Sequence, residues 1–304
     1  MAHPHPPSSS RLLITGASGF LGWHLCRLAQ TTWQVEGTYH AHSPPLSGVN
    51  LHHLDLTAAA VVDPWLEQLA PGAIIHTAAL SQPNRCEQDP ERSYAVNVEA
   101  TRRLAQFCAQ RQIPLVFTST DQVFDGQGAP YSEASPPHPI NRYGHHKAKA
   151  EALVQELHPT AAICRLPLLY GPPSPTAECF LQGFLRTVRS GQPLNLFSDE
   201  FRTPAYVEDV AAGLLLALER ATGLLHLGGP ECLSRYDFGL RMAEVFGFDS
   251  ALLKPGRQAE VTMAAQRPAD VSSDSSKAYA LGYRPRGVVA GLQATLAWEA
   301  GETT

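Results

Sequence analysis

The sequence predicts an α/β fold, a doubly wound parallel sheet with a smaller C-terminal lobe. Three observations carry this. Short apolar runs alternate with helical windows through the first half. A glycine-rich turn joins the first run to the first helical window. The alternation then stops at a Gly-Pro cluster near residue 171.

Taken in order, Arg11-Leu12-Leu13-Ile14-Thr15 reads as a buried strand, followed by glycines and an amphipathic stretch through Leu21, Leu25 and Leu28. Gln34–Tyr39 is a second strand, and Ala73–His76, 115–119 and Ala162–Leu166 are others. Helical windows at 91–110 and Arg142–Leu157 separate them. Strict alternation argues for βαβ units with helices on both faces, and such sheets bind ligands beyond the carboxyl ends of their strands. After Tyr170, Gly171-Pro172-Pro173-Ser174-Pro175 marks a boundary. Helices follow near 177–190, at Val207–Arg220 and near 234–246, and then looser, Pro-rich chain. The expected division is a disordered tail at 1–10, a main domain at 11–170 with a return of the chain near 201–228, and a small lobe from 171–200 and 229–300.

Composition narrows the function classes. A chain of 304 residues, 44% hydrophobic and 17% charged, buries about three quarters of its unfolded surface and needs no disulfide or metal staple. Lys+Arg 23 against Asp+Glu 28 leaves a net charge of −5, with no basic excess for a nucleic acid. The longest apolar run, 210–218, is far short of a membrane span. MAHPHPPSSS has no apolar core of the kind a signal peptide carries. Six cysteines without a Cys-x-x-Cys pair read as reduced thiols of a cytoplasmic protein. His52-His53 and His145-His146 are adjacent pairs that share no helix or strand face, so no metal is expected.

Gly16-Ala17-Ser18-Gly19-Phe20-Leu21-Gly22 lies between the first strand and the first helix. Gly16 permits the tight turn, Gly19 lets the backbone approach a pyrophosphate, and Gly22 allows close helix–strand packing. The helix N-terminus offers unpaired N–H donors. A turn that merely connects two elements is the plainer reading, but the strand–turn–helix context favours a Rossmann-like dinucleotide site. An acid about 20 residues on would bind the ribose hydroxyls of NAD; here the second strand ends Tyr39-His40-Ala41-His42. NADP(H) is therefore preferred and NAD(H) stays open, with His40 or His42 as contacts to the 2′-phosphate. Asp55-Leu56 would meet the adenine edge, or Asp55 would cap a helix.

Tyr143 and Lys147 are four residues apart in a helical window, on one face. An ammonium beside the phenol would lower its pKa from near 10 and make proton exchange with a substrate oxygen feasible. A chance surface pair is the plain alternative. Thr120 would hydrogen-bond the reacting carbonyl, and Asn97 would anchor a proton-relay water.

Together these residues resemble the extended short-chain dehydrogenase/reductase superfamily over roughly 11–298. Within it the chain is most similar to the dTDP-4-dehydrorhamnose reductase family and to its relative, the regulatory beta subunit of methionine adenosyltransferase. The matching stretches are Ser119-Thr120-Asp121-Gln122-Val123-Phe124-Asp125-Gly126, Asn141-Arg142-Tyr143-Gly144-His145-His146-Lys147, Arg165-Leu166-Pro167-Leu168-Leu169-Tyr170-Gly171, and Arg267-Pro268-Ala269-Asp270-Val271-Ser272 with Asp274-Ser275-Ser276-Lys277. The resemblance implies catalysis by Thr120, Tyr143 and Lys147, and cofactor contacts from Ala78, Ala79, Arg165 and Pro167. It implies sugar-nucleotide contacts from Ser81, Asp121 and Arg202, and a substrate-binding role for the small lobe. Asp121 also reads as a turn former and Arg202 as a surface charge.

The activity so implied is NAD(P)H-dependent reduction of a 4-keto-sugar nucleotide, with the proton from Tyr143. Neutral Gln122, where dehydratases of the superfamily carry Glu, argues against 4,6-dehydration. Gln122 and Leu168 also replace a Tyr and a Trp of the family, removing aromatic surface for a sugar. An epimerase, a non-catalytic NADP-binding regulatory subunit, and a homodimer stay open.

Overall fold

The computed structural model describes residues 11–301, so the tail expected at 1–10 lies outside the described residues. Arg11–Thr15 (β1) is followed by Phe20–Ala29 (α1), Gln34–Tyr39 (β2), Asn50–His53 (β3), Ala59–Leu69 (α2) and Ala73–His76 (β4). Then come Pro83–Gln88 (α3), Pro90–Tyr94 (α4), a π-helical turn at Ala95–Glu99, Ala100–Arg111 (α5), Leu115–Thr120 (β5), Arg142–Leu157 (α6) and Ala162–Leu166 (β6). The rest comprises Leu169–Tyr170 (β7), Phe180–Arg189 (α7), Leu194–Phe197 (β8), Phe201–Arg202 (β9), Ala205–Tyr206 (β10), Val207–Arg220 (α8), Gly223–His226 (β11), Leu233–Ser234 (β12), Arg235–Phe246 (α9), Leu253–Gly256 (β13), Ser276–Leu281 (α10) and Val288–Glu299 (α11).

The main sheet has seven strands in the order β11-β6-β5-β4-β1-β2-β3, all parallel. The chain winds outward from β1 through β2 to β3, then restarts at β4 and winds the other way. The connections leaving the paired neighbours β1 and β4 therefore run in opposite directions from their carboxyl ends, which opens the crevice where such sheets bind ligands. One face packs on α1 and α8 through Leu25, Cys26, Val210 and Leu214. The other packs on α2, α5 and α6 through Val62, Leu66, Leu104, Ala150 and Val154. Burial on both faces is why β5 and β6 are wholly buried. A third core joins α7, α9 and α11 around Leu181, Leu185, Phe238, Met242 and Leu292, beside the paired β8 and β13.

Several elements differ from the sequence expectation. The edge strands β3 and β11 were not anticipated; three of the four residues of NLHH are polar and its two ends are exposed, and GLLH carries only one adjacent apolar pair. The window 91–110 is interrupted by the π-turn at Ala95–Glu99, a departure that residue propensity does not announce. The tail expected as loose chain contains α11, whose VVAGLQATLAWE is apolar around most of its circumference and so shows no stripe.

Candidate active site

A cavity of about 1020 Å³ occupies the crevice at the carboxyl ends of β1, β4, β5 and β6, and residues of the lobe line its far end. At its near end is the glycine turn. Gly16 has φ +78°, and a Cβ there would come within 2.9 Å of the Ala78 backbone. A Cβ on Gly22 would meet the Gly16 carbonyl oxygen at 2.1 Å, so only glycine lets the turn seat on the helix. Gly19 is the N-cap of α1 and brings no side chain to the helix end. The first N–H groups of α1 thus point to the cavity without a capping side chain, which suits a phosphate. Ser18, Phe20 and Leu21 line the same wall. Thr176 Oγ1 donates to the Ser18 carbonyl at 2.8 Å, latching the loop after β7 onto the turn; nothing local in the sequence signalled that contact.

At the end of β2 and β3, His40, Asp55 and Leu56 line the cavity, and His40 Nε2 lies 3.7 Å from Asp55 Oδ2. His42 is exposed and away from the cavity wall, which corrects its assignment. Asp55 does not cap α2, because the helix begins at Ala59; its Oδ1 instead accepts from the Thr57 N–H at 2.9 Å and the Thr57 hydroxyl at 2.7 Å. The one acid within β2, Glu36, is buried and accepts from Asn50 at 3.0 Å, with His52 at 2.7 Å. It is therefore withheld from a ribose.

Beyond β4, Ala78, Ala79 and Ser81 line the cavity. Asn97 is placed differently from expectation. Its Nδ2 donates to the Leu80 carbonyl and its Oδ1 accepts from the Leu80 N–H, both at 3.0 Å. The amide is committed to holding this loop, and it is off the cavity wall, so its relay assignment is corrected.

Thr120, Tyr143 and Lys147 converge on the cavity. Asn141 caps α6 by accepting from the Gly144 N–H at 2.9 Å, and the first two turns of the helix then carry both Tyr143 and Lys147 inward. Burial raises the phenol of Tyr143, as do the charges of Cys86 and Asp121, while the Thr120 hydroxyl opposes them. Burial brings Lys147 down to about 7, opposed by Glu151 and Cys86; its Nζ sits 4.1 Å from the centroid of the Phe117 ring. The expected lowering of the phenol by an adjacent ammonium is corrected. A cation desolvated this far is itself only partly charged at neutral pH.

Arg165 is also corrected. It is buried, and Nε and Nη2 donate to the two oxygens of Glu151 at 3.0 and 2.7 Å, with the guanidinium stacked on Phe124. Successive strand residues point to opposite faces, so Leu166 reaches the cavity while Arg165 turns under the sheet; Pro167, past the strand end, also lines the cavity. Removing one partner of such a pair strands a buried charge. Glu151→Ala should cost about 3–5 kcal/mol of stability, read as a lower urea midpoint; a midpoint unchanged from wild type would contradict a structural role for the pair.

At the far end Asp121 and Arg202 are buried and line the cavity, so Arg202 is no surface charge. Its Nη1 and Nη2 donate to the Pro268 carbonyl at 3.2 and 3.1 Å, and Glu200 lies 3.4 Å away. Two further arginines share this wall, Arg235 and Arg267. Arg235 is held by the Phe180 and Phe184 rings at 4.3 and 5.5 Å. Arg267 was legible only as part of a motif, and Arg235 gave no local signal, because its place depends on rings from α7. Three guanidinium groups against Glu200 and Asp121 make a cationic end suited to a phosphate-bearing ligand. Among the described residues no group of three or more His, Cys, Asp or Glu is gathered for a metal, and no helix is long and apolar enough to cross a membrane.

The family model described as the RmlD substrate binding domain matches residues 10–298. The chain is 34% identical over 260 residues to the probable low-salt glycan biosynthesis reductase Agl14 of Haloferax volcanii, covering 84% of this chain and 86% of that one. It is 33% identical over 284 residues to methionine adenosyltransferase 2 subunit beta of Xenopus tropicalis, covering 91% and 84%. The crystal structure of dTDP-4-dehydrorhamnose reductase from Bacillus anthracis in complex with NADP superimposes with a TM-score of 0.84 at 24% identity, covering 95% of this chain and 99% of that one; this likeness is one of fold.

Proposed function

The chain belongs to the RmlD substrate-binding-domain family, and from that premise we propose that it reduces a 4-keto group on a sugar nucleotide, using a nicotinamide dinucleotide and a proton from Tyr143. The observation that carries this reading is one continuous cavity. It runs from the glycine turn, past Thr120, Tyr143 and Lys147, to the arginine-lined end.

The bound cofactor would supply hydride to the carbonyl carbon. The glycine turn and the α1 N-terminus would hold its pyrophosphate, with Ala78, Ala79 and Pro167 along its length. Thr120 would donate a hydrogen bond to the carbonyl oxygen. The raised phenol keeps Tyr143 protonated at neutral pH, the form a reduction needs, and it would give that proton to the oxygen as negative charge develops. Arg202, Arg235 and Arg267 would hold the diphosphate, with Asp121 and Ser81 toward the sugar. The reading is tested by NADPH consumption with keto-sugar nucleotides, beginning with dTDP-4-dehydrorhamnose; absence of turnover across the set, with NADPH bound, would overturn it.

NADPH is the expected preference, because no acid faces the ribose except the exposed Asp55, already near His40. His40→Ala should reduce the NADPH over NADH preference several-fold, as expected for loss of one exposed ionic contact of up to about 1 kcal/mol. His42→Ala should leave the preference alone. Dissociation constants for both cofactors check this, and an effect confined to His42 would refute it.

A second reading is a non-catalytic NADP-binding regulatory subunit. It is favoured by the 33% identity to methionine adenosyltransferase 2 subunit beta and by Gln122 and Leu168 on the cavity wall, where aromatic stacking surface for a sugar is missing. Capture of a methionine adenosyltransferase catalytic chain without NADPH turnover would support it over the reductase.

A further inference from the structure

The side-chain amide of Gln122 stands on the cavity wall with its two ends in different surroundings. Its backbone is fixed first. Gln122 lies in the tight turn that follows β5, and its N–H donates to Thr120 Oγ1 at 3.3 Å. Its carbonyl lies against the first turn of α6, where a Cβ on Gly144 would come within 2.1 Å of that oxygen. Glycine at this point lets Gln122 sit beside Tyr143. The side chain is oriented by Asn141, which is itself buried. Asn141 Oδ1 accepts from the Gly144 N–H at 2.9 Å, and a backbone N–H can only donate. Asn141 Nδ2 is thereby the donor end; it gives one hydrogen to the Gln266 carbonyl at 3.0 Å and the other to Gln122 at 3.1 Å. The Gln122 atom that meets it must accept, so it is Oε1. Nε2 is left on the other side of the amide with two donors and gives them to no described residue. Gln122 lines the cavity together with Thr120 and Tyr143.

We propose that Gln122 is a specificity-determining residue, whose Nε2 donates to a hydroxyl oxygen of the sugar close to the keto group. The inference rests on the reductase reading, in which Tyr143 and Thr120 serve the carbonyl oxygen itself. A donor mounted beside them reaches the substituents next to that carbonyl, which in a 4-keto hexose are the 3-hydroxyl on one side and the 6-hydroxyl on the other. A sugar filling the cavity cuts Nε2 off from water. A hydroxyl there restores its hydrogen bond, whereas a hydrogen or a methyl group leaves the donor unpaired, and sites built to bond a substrate hydroxyl reject the analogue that lacks it. The amide cannot escape by turning over. That would set Gln122 Nε2 against Asn141 Nδ2, donor to donor, while Asn141 is held in place by Gly144 and Gln266. The preferred substrate is therefore a keto-hexose nucleotide that keeps its hydroxyl at this position, and the matching deoxy sugar is disfavoured.

The test compares dTDP-glucose with its 3-deoxy and 6-deoxy analogues. Their 4-keto forms give kcat/KM with NADPH, and the alcohols themselves give dissociation constants on the enzyme–NADP complex. Wild type should favour the parent over one of the two analogues by about 10- to 100-fold, and that analogue identifies the hydroxyl. Gln122→Met keeps the length of the side chain and removes the donor, so it should abolish most of this ratio. Asn141→Ser keeps a capping oxygen and removes the amide; it should lose part of the ratio, and the double variant should lose no more than Gln122→Met alone. A purely structural role for Gln122 would lower kcat/KM for all three sugars alike and leave the ratio intact. Survival of the ratio in Gln122→Met overturns the proposal, as does a wild type that accepts both analogues as well as the parent. The two arms separate this inference from the reading beneath it. A binding ratio lost in Gln122→Met, with no NADPH consumed from any keto sugar, overturns the reductase and leaves the Gln122 contact standing. Turnover without discrimination does the reverse.

Discussion

Tyr143→Phe is expected to cut turnover by about 10²–10⁴-fold while dinucleotide affinity stays within about three-fold, the range lost when a positioned general acid is removed. The phenol is buried on α6 beside Thr120 and Asp121, and burial holds it in the protonated form. Phenylalanine keeps the ring and its packing and deletes only the proton. On the proposed reading the dinucleotide would be held chiefly by backbone at the other end of the cavity, so its affinity should barely move. Stopped-flow turnover with a cofactor titration on the same sample separates the two effects. More than a tenth of the wild-type rate at saturation would remove Tyr143 from its role.

Gly19→Val is expected to weaken NADPH binding by about 10²-fold or more, since each charge-assisted hydrogen bond to a phosphate contributes about 1.5–3 kcal/mol and a branched side chain would hold the pyrophosphate off the α1 N-terminus. The fold should tolerate the change. Gly19 has φ −77°, open to any residue, and a Cβ there meets only the Gly16 carbonyl at 3.2 Å. Gly22→Ala would be the wrong test, because its Cβ would overlap the Gly16 carbonyl at 2.1 Å and disrupt the turn itself. Circular dichroism establishes folding, and fluorescence titration measures the affinity. Unchanged affinity in a folded variant would contradict the phosphate-cradle reading.

The central strands and the glycine turn were legible because their signal is local. Apolar runs bounded by turns mark strands buried on both faces, and β1, β2, β4, β5 and β6 lie where those runs do. Thr120, Asp121, Ala78 and Pro167, which the family resemblance implied, lie at or just past strand ends on the cavity wall. Side-chain direction was less legible. Whether Asn97 faces a relay water or the Leu80 backbone, and whether Arg165 faces the cavity or Glu151, depends on partners 17 and 14 residues away. The arginine end is the extreme case. Arg202, Arg235 and Arg267 come from three separate segments, brought to one wall by the packing of the lobe, and no spacing in the chain encodes their meeting. The direction of the Tyr143 shift and the desolvation of Lys147 were not legible for a related reason. Four-residue spacing gives a shared helix face, but the degree of burial, which dominates both groups, is set by the whole fold.

The most direct measurement is NADPH absorbance after mixing wild type, and separately Tyr143→Phe, with dTDP-4-dehydrorhamnose and related keto-sugar nucleotides. Substrate-dependent loss of NADPH in wild type, almost abolished in Tyr143→Phe, is the expected result. No loss from wild type with any of them, although NADPH binds, would contradict a reductase working through Tyr143.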